Sequence, residues 1–358
     1  MREETVLRRV RGMKAAALLL AGSMALAACA SDETDGDSGG SASGGGGDEL
    51  MVGLAYDTGG RGDKSFNDSA YAGVEAAIEE MGGEVQELSP NDDGSDRAEL
   101  LTQLAEQGYD PVIGVGFAYG EIIGDIAAEY PETTFAVVDS SVAEMDADNL
   151  TGLLFAEEQG SFLAGAAAAL KSETGHIGFV GGVENPLIQK FEAGYVAGAQ
   201  AVDPDIIIDT QYISPAGDFS GFGDPARGRI VAQGMFDAGA DIVYHAAGGS
   251  GQGVFEAAAA SGGRAIGVDS DQYETVGDPA LQAVIMTSML KRVDNAVESF
   301  ITDFSEGSVD GGQDIVNDLS TDGVGLSTSG GQIDDIQTQI DDYRQQIIDG
   351  EIEVPTIP

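Results

Sequence analysis

The chain is poor in positive charge, sulfur and large aromatic surface. Its 358 residues include one cysteine, two histidines and no tryptophan, and 16 Lys and Arg stand against 62 Asp and Glu. A net charge of −46 repels phosphate backbones and anionic headgroups, which excludes nucleic-acid binding through a basic surface. A lone cysteine excludes an internal disulfide or a redox pair. His176 and His245 show no H-x-x-x-H or H-E-x-x-H spacing and have no cysteines to join them, so no zinc site is expected. Both read as hydrogen-bonded structural residues at strand ends. There is no G-x-S-x-G elbow and no P-loop. Gly114-x-Gly116 with Gly120, and Gly248-x-x-Gly251-x-Gly253, miss the dinucleotide spacing, and 53 glycines make such near-matches common. The stretch 91–96 resembles part of a calcium loop but lacks its glutamate, and reads as a polar turn before a helix. No metal and no cofactor are expected.

What the chain does have begins at its start. Arg2, Arg8, Arg9, Arg11 and Lys14 precede a small, apolar run over 15–27. That run is too short to cross a bilayer as a mature helix and matches the core of an export signal. Met13 is an alternative start, since Lys14 alone would supply the positive flank. The run ends Leu26-Ala27-Ala28-Cys29, which resembles the lipobox of bacterial lipoproteins. Residues 1–28 therefore read as a signal peptide and Cys29 as the lipidated first residue of the mature chain. Residues 29–48, almost wholly Ser, Gly, Asp, Ala and Glu, read as a disordered tether. Expected is a protein exported and anchored to the outer face of the cell membrane, touching it through the lipid only. Cleavage leaves 11 basic and 60 acidic residues, a net charge of −49.

From Leu50 onward, short apolar runs alternate with longer alanine-rich stretches. Strands are predicted over 51–56, 84–88, 112–115, 135–138, 177–180, 206–213, 242–245, 265–268 and 284–286. Helices are predicted over 69–81, 96–107, 120–129, 159–171, 186–202, 224–238, 253–261 and 292–305. This alternation predicts an α/β fold with parallel sheets, more economically two doubly wound lobes than one large sheet. Six strands end in Gly, Asp or Ser, including Asp57-Thr58, Val138-Asp139, Gly248-Gly249 and Val268-Asp269. Ligands of open α/β sheets lie beyond the carboxyl ends of the strands, so two facing crevices are expected.

The most informative stretch is Asp57-Thr58-Gly59-Gly60-Arg61-Gly62-Asp63-Lys64-Ser65-Phe66-Asn67-Asp68-Ser69-Ala70, which leaves a strand, turns through glycines and enters a helix. Phe66 sits where the carboxyl edge of the sheet opens; it reads as ligand contact or as a staple over the helix start. With Gln159-Gly160-Ser161-Phe162, Gly178-Phe179-Val180-Gly181-Gly182, Phe191-Glu-Ala-Gly194-Tyr195, Gly267-Val268-Asp269-Ser270-Asp271 and Ser288-Met289-Leu290-Lys291, it resembles the basic membrane protein (Bmp) family, lipoprotein substrate-binding components of ABC importers. The resemblance covers Leu50 to about Pro358.

That resemblance implies a two-lobed type I periplasmic-binding-protein fold closing on a purine nucleoside in the interlobe cleft. Its partners would be an ABC permease with its ATPase, and the protein would act as a monomer. By position, Phe66 and Phe191 would sandwich the base. Asp57, Thr58 and Asp139, beside Asn67, would address the base edge, although members of the family often carry asparagine where Thr58 stands. Asp269, Lys291, Gly248 and Gly249 would hold the ribose. The lobes would comprise 49–152 with 270–306, and 153–269 with 307–358. Lys64 would order its own loop. Two alternatives stay open: a receptor for a sugar or autoinducer on the same fold, and an extracellular nucleoside hydrolase. Against the hydrolase, Asp57 and Asp63 are separated by glycines and an arginine, a poor calcium cage.

Overall fold

Short runs of β-branched and small apolar residues pair into two six-stranded sheets in the computed structural model, which describes residues 50–358 other than Asp92. The expected signal segment, Cys29 and tether lie outside the described residues. The first sheet holds β1 (Met51–Ala55), β2 (Glu84–Leu88), β3 (Val112–Gly114), β4 (Phe135–Val138), β5 (Leu150–Phe155) and the distant β11 (Gln313–Asn317). Their order is β11-β5-β4-β3-β1-β2, all parallel. The second sheet holds β6 (His176–Val183), β7 (Ile207–Ser214), β8 (Ile242–Ala246), β9 (Arg264–Asp269), β10 (Ile285–Lys291) and β12 (Val324–Leu326). Its order is β12-β10-β9-β8-β6-β7, with only β12 antiparallel.

The helices are α1 (Phe66–Met81), α2 (Arg97–Glu106), α3 (Ile123–Glu129), α4 (Glu157–Lys171), α5 (Pro186–Val202), α6 (Pro225–Ala238), α7 (Gly251–Ser261), α8 (Gln272–Thr275), α9 (Pro279–Gln282), α10 (Val293–Glu306) and α11 (Gln337–Ile348). Local signals set their ends. Asn185 and Asp224 accept the N–H groups of Ile188 and Arg227, Pro186 and Pro225 follow them, and Gly239 ends α6 at φ +115°. α4 and α5 pack with their backbones nearly touching. A Cβ at Gly165 would lie 2.0 Å from the Tyr195 carbonyl, and one at Gly198 would lie 1.9 Å from that of Phe162.

The chain changes lobe three times: between β5 and α4, between β10 and α10, and between β11 and β12. This corrects the expected lobe boundaries. β5 belongs whole to the first sheet, so the first passage follows Phe155 rather than falling at 152. Residues 285–291 extend the second sheet, because Met289 and Leu290 register with Val268 and Asp269, so 270–306 is not one block of the first lobe. Residues 313–317 return to the first sheet beside 151–155, so 307–358 is divided as well. α10, against α1, does lie on the first lobe; a Cβ at Gly73 would meet the Asp294 carbonyl at 2.3 Å. Among the described residues no helix is long and apolar enough to cross a membrane.

Candidate ligand-binding cleft

Asp139 and Asp269 close β4 and β9, one in each lobe, and both adopt left-handed backbone, at φ +68° and +62°. Aspartate is among the few non-glycine residues that visit this region. The turn carries both carboxylates off the strand ends into a cavity shared by the two lobes. All ten ligand-contact residues named from the sequence line it: Asp57, Thr58, Phe66, Asn67, Asp139, Phe191, Gly248, Gly249, Asp269 and Lys291.

The polar groups are tightly tied. Lys291 Nζ donates to Asp139 Oδ2 at 2.5 Å, and Asp139 Oδ1 is buried without a partner among the described residues. The ammonium lies 4.6 Å from the centre of the Phe66 ring, 5.1 Å from Phe155 and 5.8 Å from Phe191. Burial alone would lower the Lys291 pKa, but Asp139, Asp269 and Glu157 outweigh it and hold the group above its ordinary value. Burial raises Asp269, against the opposing pull of Lys291 and the Ser65 hydroxyl that donates to Asp269 Oδ2 at 2.5 Å. Behind them Glu157, at the start of α4, is pushed up by burial to about 7 despite Lys291 and despite Lys190, whose ammonium donates to it at 3.2 Å.

The loop before α1 is built by its own side chains. Asp63 accepts the N–H groups of Ser65, Asn67 and Asp68, and burial still pushes it to about 6. Asn67 donates its amide to Asp63 and accepts the Asp57 N–H at 3.0 Å, so it aligns Asp57 as well as lining the wall. Lys64, read as ordering its own loop, instead reaches the other lobe. Its Nζ donates to the Val276 carbonyl at 2.8 Å, and its own carbonyl accepts Gln272 Nε2 at 3.1 Å. Ser270 Oγ adds a bond to the Ser65 carbonyl at 3.0 Å. On the opposite flank Phe117 of the first lobe meets Phe219 of the second, with ring centres 5.7 Å apart.

Phe191 is only 2 % exposed and packs into the core, whereas Phe66, Phe117 and Phe222 keep part of their rings open on the cavity. Sequence reasoning missed Phe117 and Phe222. The signal was there for Phe222, an aromatic in a glycine-rich strand-end loop as Phe66 is. His245 is buried and bonded to Gln272 Oε1 at 3.0 Å, and burial lowers it to about 4, while His176 pairs with Asp209. Both are structural and lie off the cavity wall. The constellation offers aromatic faces, carboxylate acceptors and one cation already engaged by a carboxylate. It suits a neutral, flat ligand carrying hydroxyl and N–H donors, and it repels phosphate.

Comparison with known proteins agrees with this geometry. Residues 51–357 match the Bmp family model, described as ABC transporter substrate-binding protein PnrA-like. The chain is 34 % identical to an ABC transporter nucleoside-binding protein BmpA of Lactococcus lactis, over 86 % of this chain and 90 % of that protein. It is 35 % identical to a CD4+ T-cell-stimulating antigen of Listeria monocytogenes, over 87 % and 89 % of the two chains. Among solved structures, an ABC transporter solute-binding protein from Aeropyrum pernix superposes with a TM-score of 0.74 at 29 % identity, covering 86 % of this chain and 93 % of that one. The architecture is thus the two-lobed type I solute-binding fold.

Proposed function

The chain belongs to the Bmp family of PnrA-like ABC transporter substrate-binding proteins, and on that footing we propose that it captures a purine nucleoside by lobe closure and presents it to a membrane permease. The observation that carries this reading is the buried, unpartnered Asp139 Oδ1 in a cavity faced by the open rings of Phe66, Phe117 and Phe222. In this reading the base stacks on Phe66, with Phe222 rather than the buried Phe191 as the opposing face. Asp57, Thr58 and Asp139 meet the base edge, while Asp269, Lys291 and the backbone at Gly248 and Gly249 hold the ribose. No covalent step is required. Cys29 carries the lipid that keeps the monomeric receptor at the outer face of the membrane, and the permease works with its own ATPase.

Ligand that binds only the folded protein raises its stability by about 3 kcal/mol at a hundredfold excess over Kd, which reads as a melting-temperature rise of several degrees. Inosine, guanosine and adenosine are the probes, and no shift with any of the three overturns the reading. The nucleoside should be recovered intact after incubation; free base would point to a hydrolase. A Cys29→Ala variant should leave the membrane fraction.

A further inference from the structure

Arg97 opens α2, forty residues from Asp57 in the chain, yet it is only 6 % exposed in a protein whose charge is overwhelmingly acidic. Its Nη2 serves two acceptors at once, Asp57 Oδ1 at 3.1 Å and Thr58 Oγ1 at 2.9 Å. The preceding loop is shaped around it: Gly94 stands at φ +65°, and a Cβ there would lie 1.9 Å from Arg97 Nη1. The turn at Gly94 therefore seats a guanidinium. From the other lobe, Phe219 covers the group with its ring centre 5.0 Å away.

The consequence for Asp57 is directional. Oδ1 is filled by the Thr58 N–H at 2.7 Å and by Arg97, the main chain is pinned by Asn67, and among the described residues none donates to Oδ2. One carboxylate oxygen is consumed by protein and the other is left for the cavity that Asp57 lines. A buried charge of this kind persists only with a paired, hydrogen-bonded partner. We propose that Arg97 is a positioning residue that sets base selectivity, holding Asp57 as an oriented acceptor so that the cleft favours bases presenting a ring N–H over isosteres without one. The proposal rests on the nucleoside reading above. It acts through Asp57, since Arg97 itself is not on the cavity wall.

Titration calorimetry with inosine and with purine riboside, which lacks the 6-oxo group and the N1–H, separates the two. Wild type should prefer inosine by about tenfold or more, the worth of a hydrogen bond to a charged group. Arg97→Met should bring the ratio to about threefold or less while leaving purine riboside nearly unchanged. A purely structural role would weaken both ligands alike. Arg97→Lys keeps the charge and guards against a misfolded methionine variant; lacking the planar guanidinium that spans both acceptors, it should give an intermediate ratio.

A pH series adds a readout that packing would not move. Burial already raises Asp57, and the Thr58 N–H and Arg97 oppose it, so loss of Arg97 raises it further. The inosine preference of Arg97→Met should then return as pH rises and Asp57 regains its charge. Wild type that binds neither ligand overturns the nucleoside reading. Equal binding of both by wild type overturns the placing of Asp57 at the base edge, and this proposal with it. A wild-type preference left unchanged in both variants overturns the role of Arg97 alone.

Discussion

Lys291 of the second lobe and Asp139 of the first meet across the cleft, ammonium to carboxylate, with both side chains almost fully buried. Each is the other's main compensation, and the remaining oxygen of Asp139 has no partner among the described residues. Removing one partner strands a buried charge, at a cost of about 3–5 kcal/mol. Lys291→Met should lower the melting temperature markedly. Asp139→Asn, which keeps the shape, should cost binding about 30-fold or more by calorimetry while costing less stability.

The aromatic residues divide by exposure. Phe66→Ala and Phe222→Ala should each weaken nucleoside binding by roughly 1–3 kcal/mol, the worth of a stacked face, with modest change in melting temperature. Phe191→Ala should do the reverse. It empties a core position and should destabilise by about 3–5 kcal/mol in chemical denaturation. Equal binding losses in all three variants would remove the distinction.

Lys64 and Ser65 hold the second lobe through Val276, Gln272, Ser270 and Asp269. These bonds exist only with the lobes together, so they slow opening more than they assist encounter. Lys64→Ala should raise the dissociation rate about fivefold in stopped-flow release and leave the association rate within about twofold.

Glu157 links stability to pH. Its folded value of about 7 lies above the ordinary 4.5, so the native state binds more protons than the unfolded state between these limits. Stability therefore falls as pH rises through that window, by up to about 3 kcal/mol from this group. Denaturation of Glu157→Gln from pH 5 to pH 8 should show a shallower decline than wild type. An identical slope would mean Glu157 does not titrate there.

Every lysine and arginine among the described residues is engaged by a carboxylate, a carbonyl or both. The rest of the acid excess is unopposed and self-repelling. Added sodium chloride from about 0.01 M to 1 M, which shortens the screening length from roughly 30 Å to 3 Å, should raise the melting temperature. A flat profile would show that the acids are spaced too widely to repel.

The parts of the site that ride on strand ends were readable from the chain alone. Asp57, Asp139 and Asp269 each follow an apolar run, and that position is what places them on the cleft. Arg97 was not readable, since an arginine at a helix start in an acidic stretch looks like surface. Phe191 both packs into the core and lines the cavity, and its place on the wall was named through the family resemblance, since helix periodicity alone does not tell the two apart. β11, with Ile315 and Val316 exposed at the sheet edge, is too polar to register as a strand, and with it went the third passage between lobes. The second passage was misplaced because Asp269 ends a strand at the cleft, although the chain first completes β10.

Lys291 is the final residue of β10 and Phe155 the final residue of β5, so each stands at a point where the chain leaves one lobe for the other. The two side chains touch, ammonium to ring, at 5.1 Å. The ligand's cation is thus mounted on the axle of the molecule rather than at its rim. Any movement of the lobes at these crossings therefore moves the ammonium and the Phe155 ring relative to one another.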